Sequence, residues 1–420
     1  MRNSPVKRRT AKRIFYATTL ACQETYTAEL DVSALLCYAD RAKRRLTKAE
    51  RVSAEALHGW LGFNQVRGVR WTHLRALLER YQTLEAAWRA PAEALRAAGL
   101  TKQALEALLR VRQTYDPEAA LRQLKRLGVR LLPITDPDYP PLLRQIADPP
   151  PLLYVRGTLQ AADQNALAVV GTRNATEYGK RMTAHIVEPL ASQGVTIISG
   201  LAHGIDSAAH RAALRAGGRT IAVLPCGIDR VYPADQSALA AQIMESGCLI
   251  SEFPLGTKAE RHNFPQRNRV ISGLAYGVLV VEAAEKSGAL ITVDCALEQG
   301  REVFAVPGNA LSPASSGTNA LIRSGATLTT SAADILQVLA PSTPAAMKPS
   351  QVQPVRYTPE SDDEACVLRY LEVDQAKHID EIVRQSGLAA SRVSAVLTVL
   401  EVKGVVCQTG AQRYSLVAAV

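Results

Sequence analysis

Six short apolar runs, each stopping abruptly at a turn-forming or polar stretch, constrain this chain more than any other feature. The clearest reads L-A-V-V-G-T-R from Leu167 to Arg173, where four apolar residues end at Gly171, Thr172 and Arg173. That is the pattern of a buried parallel strand delivering a tight loop with an arginine at its tip. Runs of the same kind recur at Val195–Ser199, Thr220–Leu224, Leu249–Ser251, Gly277–Val281 and Glu302–Val306, and the longer intervals between them have helical apolar spacing. Alternating strands and helices predict an α/β fold, a Rossmann-like parallel sheet with helices on both faces. In such sheets ligands bind beyond the carboxyl ends of the strands. The functional site is therefore expected in the loops that follow these six runs.

With 420 residues the chain is long enough for several domains. Residues 1–50 carry K-R-R-T-A-K-R and R-A-K-R-R with little periodic apolar pattern between, which reads as a basic, disordered arm. Leucines at helical spacing from about Ala54 to Arg112 predict a small helical domain over 51–130, punctuated by Gly62, Gly68, Pro91 and Gly99. Its glycine turns suit either phosphate contact, as in helix-hairpin-helix modules, or plain packing. The proline-dense stretch 131–157 keeps Leu142, Leu143, Leu152, Leu153 and Tyr154, so it is expected to be ordered and extended rather than a flexible linker. It opens the α/β domain, expected over 131–340. A proline-rich linker follows at 341–360, and three helices with a short hairpin predict a winged helix over 361–420.

The net charge of +10 suggests a nucleic-acid partner, but its distribution is uneven. Residues 1–51 carry +7 and 52–150 carry +4, whereas 151–339 are neutral and 340–420 carry −1. A polyanion bound by the α/β core would have to meet a local cluster. No apolar run is long enough to cross a bilayer and the basic start lacks a signal-peptide pattern, so a cytoplasmic protein with no membrane contact is expected. The seven cysteines are scattered with no C-x-x-C spacing, which argues against zinc and disulfides.

Three stretches carry candidate chemistry. In Gly171-Thr172-Arg173 the glycine allows close backbone approach, and Thr172 and Arg173 can meet a phosphate; the G-x-G-x-x-G of a dinucleotide loop is missing. From Lys258 to Arg269 runs K-A-E-R-H-N-F-P-Q-R-N-R, read as a basic loop on the same sheet edge. Lys258, Arg261, Arg267 and Arg269 supply cations for phosphates, Asn268 a polar group, and Phe264 a ring for a base, which together suit single-stranded nucleic acid. His203, Asp206 and His210 lie at i, i+3, i+7 and could line a helical face for a metal, or Asp206 could cap the helix with His210 bonded nearby. Ser287, Gly288, Thr292, Gly308, Ser316, Gly317 and Asn319 place small and polar groups at helix starts, and Glu282 can be pictured as a general base without a second titratable partner at fixed spacing.

Taken in order, V-V-G-T-R, S-G-L-A-H-G-I-D-S-A-A-H, F-P-Q-R-N-R-V-I-S-G-L, S-G-A-L-I-T, A-V-P-G and S-S-G-T-N-A-L-I closely resemble the DNA-processing protein A (DprA/Smf) family. The resemblance runs over roughly 55–420 and implies an extended Rossmann-like domain that binds single-stranded DNA with little sequence preference. It implies a nonenzymatic recombination mediator with no cofactor. Its partners would be single-strand-binding protein and the RecA recombinase, loaded onto DNA during natural transformation, and the protein would act as a homodimer. Carried over by motif, Gly171, Thr172, Arg173, Arg267, Asn268 and Arg269 would lie at the DNA. His203 departs from the arginine common in relatives, and Lys258, Arg261 and His262 fill a stretch often rich in proline and glycine. The winged helix offers only Arg392 and Lys403 on its last helix, which favours a protein-contact or accessory role over base reading. The competing class is a nucleotide-processing Rossmann-type enzyme related to phosphoribohydrolases. Its P-G-G-x-G-T-x-x-E loop is absent, Glu282 to Gly288 reading E-A-A-E-K-S-G instead.

Overall fold

The computed structural model describes residues 56–339, 359–372, 376–410 and 412–416. The basic arm expected over 1–50 lies outside them, as does the expected linker apart from its last two residues. All six apolar runs are strands of one nine-stranded sheet, ordered β1-β2-β6-β5-β4-β3-β7-β8-β9. They are β3 (Ala166–Val170), β4 (Thr196–Ser199), β5 (Thr220–Val223), β6 (Cys248–Ser251), β7 (Gly277–Val280) and β8 (Glu302–Ala305). Adjacent members of this set pair in parallel, and β9 (Thr327–Leu328) adds to β8 in the same sense. β3 is buried along its whole length, which is why it reads as an unbroken apolar run rather than an alternating one.

The chain runs outward from β3 through β4, β5 and β6, then returns to lay β7 on the other side of β3. The strand order therefore reverses between β3 and β7, and the loops diverging there leave a crevice at the strand ends. Two apolar clusters cover the faces of the sheet. One gathers Leu190, Ile205 and Ile335 under β3 and β7; the other gathers Ile271, Val293 and the helices preceding the sheet.

The proline-dense stretch does more than lie along the core. β1 (Val129–Pro133) and β2 (Leu152–Gly157) form an antiparallel pair, and β2 joins β6 antiparallel, so this stretch extends the sheet by two strands. Its turn is pinned by buried Tyr139, whose hydroxyl donates to the Pro150 carbonyl at 2.7 Å, and by Arg144, which donates to the carbonyls of Ile134 and Asp136 at 3.1 and 2.7 Å. Prolines suit such a segment because they need no donor of their own where the chain turns.

Six helices between Ala56 and Arg126 precede the sheet, and their buried leucines belong to the same apolar cluster as β1, β2 and β6. Gly62 is not a turn here. It sits inside the helix Ala56–Asn64, where an added Cβ would fall 2.7 Å from the Trp88 ring, so the glycine permits close packing. Gly68 and Gly99 do turn, at φ of 88° and 96°.

At the other end, Asp362–Leu368, Ile379–Ser386 and Ala390–Val402 form three helices over a separate apolar cluster. β10 (Lys377–His378), β11 (Val406–Gly410) and β12 (Arg413–Leu416) complete a winged helix, with β12 central.

Candidate nucleic-acid interface

Strand-end loops and the helices that follow them build a cleft of about 400 Å³ at the β3/β7 reversal, lined by Gly171, Arg173, Asp206, Phe264, Arg267 and Asn268 among others. The loop after β3 is set by Glu282, the second residue beyond β7. Its carbonyl accepts from the Thr172 amide at 2.7 Å, and its carboxylate accepts from the Thr176 amide and hydroxyl at 2.9 and 2.7 Å. Thr176 in turn caps the helix Glu177–Ser192. Glu282 is only 2% exposed, and these bonds make it a loop anchor rather than a free base. Gly171 is required by neighbours, since an added Cβ would lie 2.5 Å from Ile205. The result is an exposed Arg173 held at the cleft rim, its guanidinium 5.2 Å from the centre of the Phe264 ring.

The floor is built on the same strand-end edge, by the helix that follows β6. The basic run does not form a loop to its end: Asn263–Gly273 is a helix, so Arg267 and Arg269, two residues apart, point to opposite sides. Arg267 turns to the cleft and is 5% exposed. It donates to the Val223 carbonyl at 3.0 Å and sits 5.9 Å from the Phe264 ring centre. Burial lowers its pKa to about 10, with Asp206 opposing that shift and Arg173 adding to it, so the guanidinium stays cationic at neutral pH. Gly200 makes room for it, because any Cβ there would overlap the guanidinium.

Arg269 is absent from the cleft. It faces the β1–β2 side, where it pairs with the half-buried Glu252, and this corrects the expectation that both arginines meet one ligand. Burial raises the Glu252 carboxyl, and Arg269 is the main opposing influence. Lys258 and Arg261 are exposed on the approach to the helix and do not line the cleft, while Asn268 does. Phe264 is also not an open platform. Two guanidinium groups lie over its ring and Tyr232 meets it edge-on, at 5.7 Å between centres and 71° between planes.

The histidine and aspartate motif is likewise dispersed. His203 is bonded to Gln236 at 3.0 Å and lies 3.5 Å from Asp235. Asp206 lies inside the helix Ile205–Arg215, whose cap is Gly204, and accepts the amides of Gly200 and Ala202 at 3.2 and 3.4 Å. Those bonds hold the loop in which Leu201 adopts the left-handed φ of 59°, a conformation costing about 1 kcal/mol. Burial raises the Asp206 carboxyl against the pull of Arg267.

His210 is fully buried and shares a 2.7 Å bond with Thr220, whose hydroxyl donates to the Ile197 carbonyl. The histidine Nδ1 must then be the donor, so Nε2 is an unprotonated acceptor. Burial, reinforced by Arg267 and Arg211, pushes the imidazole pKa down to about 3. Among the described residues no group of three or more His, Cys, Asp or Glu side chains is placed to hold a metal.

Sequence reasoning missed Tyr232, which is 40% exposed beside Phe264. The signal was available, because D-R-V-Y-P lies in the loop that follows β5 and so belongs to the strand-end loops. Of the small polar residues singled out, Ser287, Gly288 and Thr292 do line the cleft.

Fold and site thus define a Rossmann-like protein with a cationic, aromatic-backed cleft at its topological switch point. Comparison with known proteins makes this specific. Residues 130–340 match the family described as DNA recombination-mediator protein A, and residues 350–412 match the DprA winged helix domain. Protein Smf of Synechocystis sp. is 36% identical over 84% of this chain and 97% of its own length. DNA processing protein DprA of Bacillus subtilis is 43% identical over 52% of this chain and 74% of its own. The crystal structure of DprA from Streptococcus pneumoniae, 32% identical, superposes with a TM-score of 0.59 over 67% of this chain and 97% of that one. The chain belongs to the DprA/Smf family. No helix among the described residues is long and apolar enough to cross a membrane.

Proposed function

We propose that this chain binds single-stranded DNA across the strand ends of its sheet and acts as a recombination mediator. The observation that carries this reading is the exposed Arg173, held over Phe264 at the rim of a cleft whose floor is the buried cation of Arg267. A cation pre-oriented on a ring loses less side-chain freedom on meeting a phosphate than a mobile one. The neutral sum of 151–339 favours a flexible strand that can bend into one local cluster over a duplex that needs a broad basic face. Lys258 and Arg261, exposed nearby, supply outer phosphate contacts in this reading, and Gly171, Thr172 and Asn268 line the path of the strand. Arg269 acts as a structural cation. Of the helical segment, the α/β domain and the winged helix, this reading puts binding in the second.

The family supports the finer proposals that the protein delivers DNA to the RecA recombinase, works alongside single-strand-binding protein, is a cytoplasmic homodimer and serves natural transformation. The nucleotide-enzyme reading is disfavoured by Glu282, whose two carboxylate oxygens are engaged by Thr176. Titrating labelled single-stranded and duplex oligonucleotides of one sequence across a salt series tests the proposal. Preference for the single strand with a steep salt dependence is expected, about −0.7 in log–log slope per phosphate neutralised. Equal affinity for duplex would overturn it.

A further inference from the structure

Two aromatic rings meet at the rim of the cleft, and the one outside the basic run is the more open. Phe264 is half-buried beneath the guanidinium groups of Arg173 and Arg267, which lie 5.2 and 5.9 Å from its centre. Tyr232 touches the same ring and is 40% exposed. A lone exposed aromatic on a protein surface calls for no explanation. Tyr232 is not alone: it stands in the strand-end loop that follows β5, one side chain away from the exposed cation of Arg173.

The loop that carries Tyr232 is held at several points. The Gly227 amide donates to the Thr257 carbonyl at 3.0 Å, and the Asp229 carboxylate accepts the Gly256 amide at 3.0 Å. Beyond the tyrosine, buried Gln236 is bonded to His203 at 3.0 Å and accepts from Arg211 at 3.3 Å. A ring on a fixed loop loses little freedom when a flat ligand settles on it. The basic residue of this loop, Arg230, is paired with Asp229 at 3.9 Å, and Asp235 lies three residues past the tyrosine. The loop therefore offers a π-face rather than a charge, and a phosphate is better served by Arg173.

Resting on the single-strand reading, we infer that Tyr232 is the base-stacking residue of this site: a nucleobase lies on its exposed ring while an adjoining phosphate meets Arg173. Phe264 sits between the two, with Arg173 over its ring and Tyr232 at its edge. Every base has a π-face, so the tyrosine adds affinity for the strand without reading its sequence. A duplex keeps its bases stacked on one another and gains nothing from the ring. Tyr232 is thus a residue that favours single strands, where Arg173 attracts any polyanion.

The test uses the full chain, an oligothymidylate, and a strand of the same length built of abasic sugars, which keeps the phosphates and lacks the bases. Tyr232→Leu keeps apolar bulk but removes the ring, and Tyr232→Phe keeps the ring. With Tyr232→Leu, affinity for the oligothymidylate is expected to fall about tenfold, while affinity for the abasic strand stays within about twofold and the salt slope is unchanged. Tyr232→Phe should bind both strands near-normally. An equal loss on both strands with Tyr232→Leu would make the tyrosine a support for Arg173 and overturn the stacking. Unchanged oligothymidylate affinity, with Arg173→Glu still weakening both strands, would overturn the stacking while leaving the cleft reading intact. Unweakened binding by Tyr232→Leu and Arg173→Glu alike would overturn both.

Discussion

At the strand ends Arg173 stands exposed over Phe264, whereas in the winged helix Arg392 reaches Asp363 at 3.2 Å and Lys403 is held by Glu360 and Glu364 at 2.7 and 2.9 Å. Both regions would pass in sequence for DNA-binding modules. What separates them is the environment of each cation and not the number of cations. The neutral core leaves Arg173 exposed and backs it with a ring, while the winged helix pairs Arg392 and Lys403 with the nearby acids Asp363, Glu360 and Glu364. On the proposed reading net charge misplaces the interface, and the pairing of each basic group points to it instead.

Buried cations give the sharpest way to test that distinction. Arg267→Glu would place a carboxylate beside buried Asp206, and Arg269→Ala would strand Glu252. Each is expected to lower stability by about 3–5 kcal/mol, read by chemical denaturation. A normal midpoint for either would show that these arginines are surface groups after all.

Arg173→Glu comes next in size. It should weaken single-strand binding about 100-fold at low salt, through lost attraction and added repulsion, while the melting temperature moves little because the side chain is exposed. A folding defect without a specific binding defect would make Arg173 a structural residue.

A smaller effect is expected from pH. The His210 pKa in the folded chain is near 3, below the ordinary 6.5, so folding favours the neutral ring. That contribution is complete above pH 6.5 and is lost as pH falls, at about 1.4 kcal/mol per unit until the folded pKa is reached. Asp206, raised by burial, acts in the opposite sense and recovers part of the loss as it protonates. The intact protein should therefore melt at lower temperature at pH 5 than at pH 7, with a smaller drop in His210→Asn, which can still donate to Thr220. Equal drops in the two proteins would remove His210 from the acid response.

The smallest effect should come from the winged helix. Deleting 341–420 removes an element with its own apolar cluster and is expected to change single-strand affinity by about twofold or less. A collapse of binding in that truncated chain would reverse the comparison.

The parallel sheet was legible because strands buried on both faces must be apolar throughout, as β3 is, and the turn residues after them mark the site-bearing edge. The β1–β2 pair was less so, since its prolines mask a strand pattern that only Tyr139, Arg144 and the pairing with β6 make possible. The loop position of Arg173 was legible because its glycine and threonine announce a turn after an apolar strand. Arg269 was misplaced because F-P-Q-R-N-R was taken for a loop, and a helix sends alternate residues to opposite sides. Phe264 was identified as aromatic near cations, but its coverage by Arg173 and Tyr232 depends on two loops from distant sequence positions, which no local pattern encodes; only Arg267, one turn along the same helix, is a local neighbour.

The central claim is that single-stranded DNA is held by the strand-end cleft and not by the winged helix. Side-by-side titration of a labelled oligothymidylate with Arg173→Glu and Arg392→Glu tests it most directly. A loss of about 100-fold is expected for the first and less than about twofold for the second. A loss with Arg392→Glu alone, and normal binding by Arg173→Glu, would contradict it.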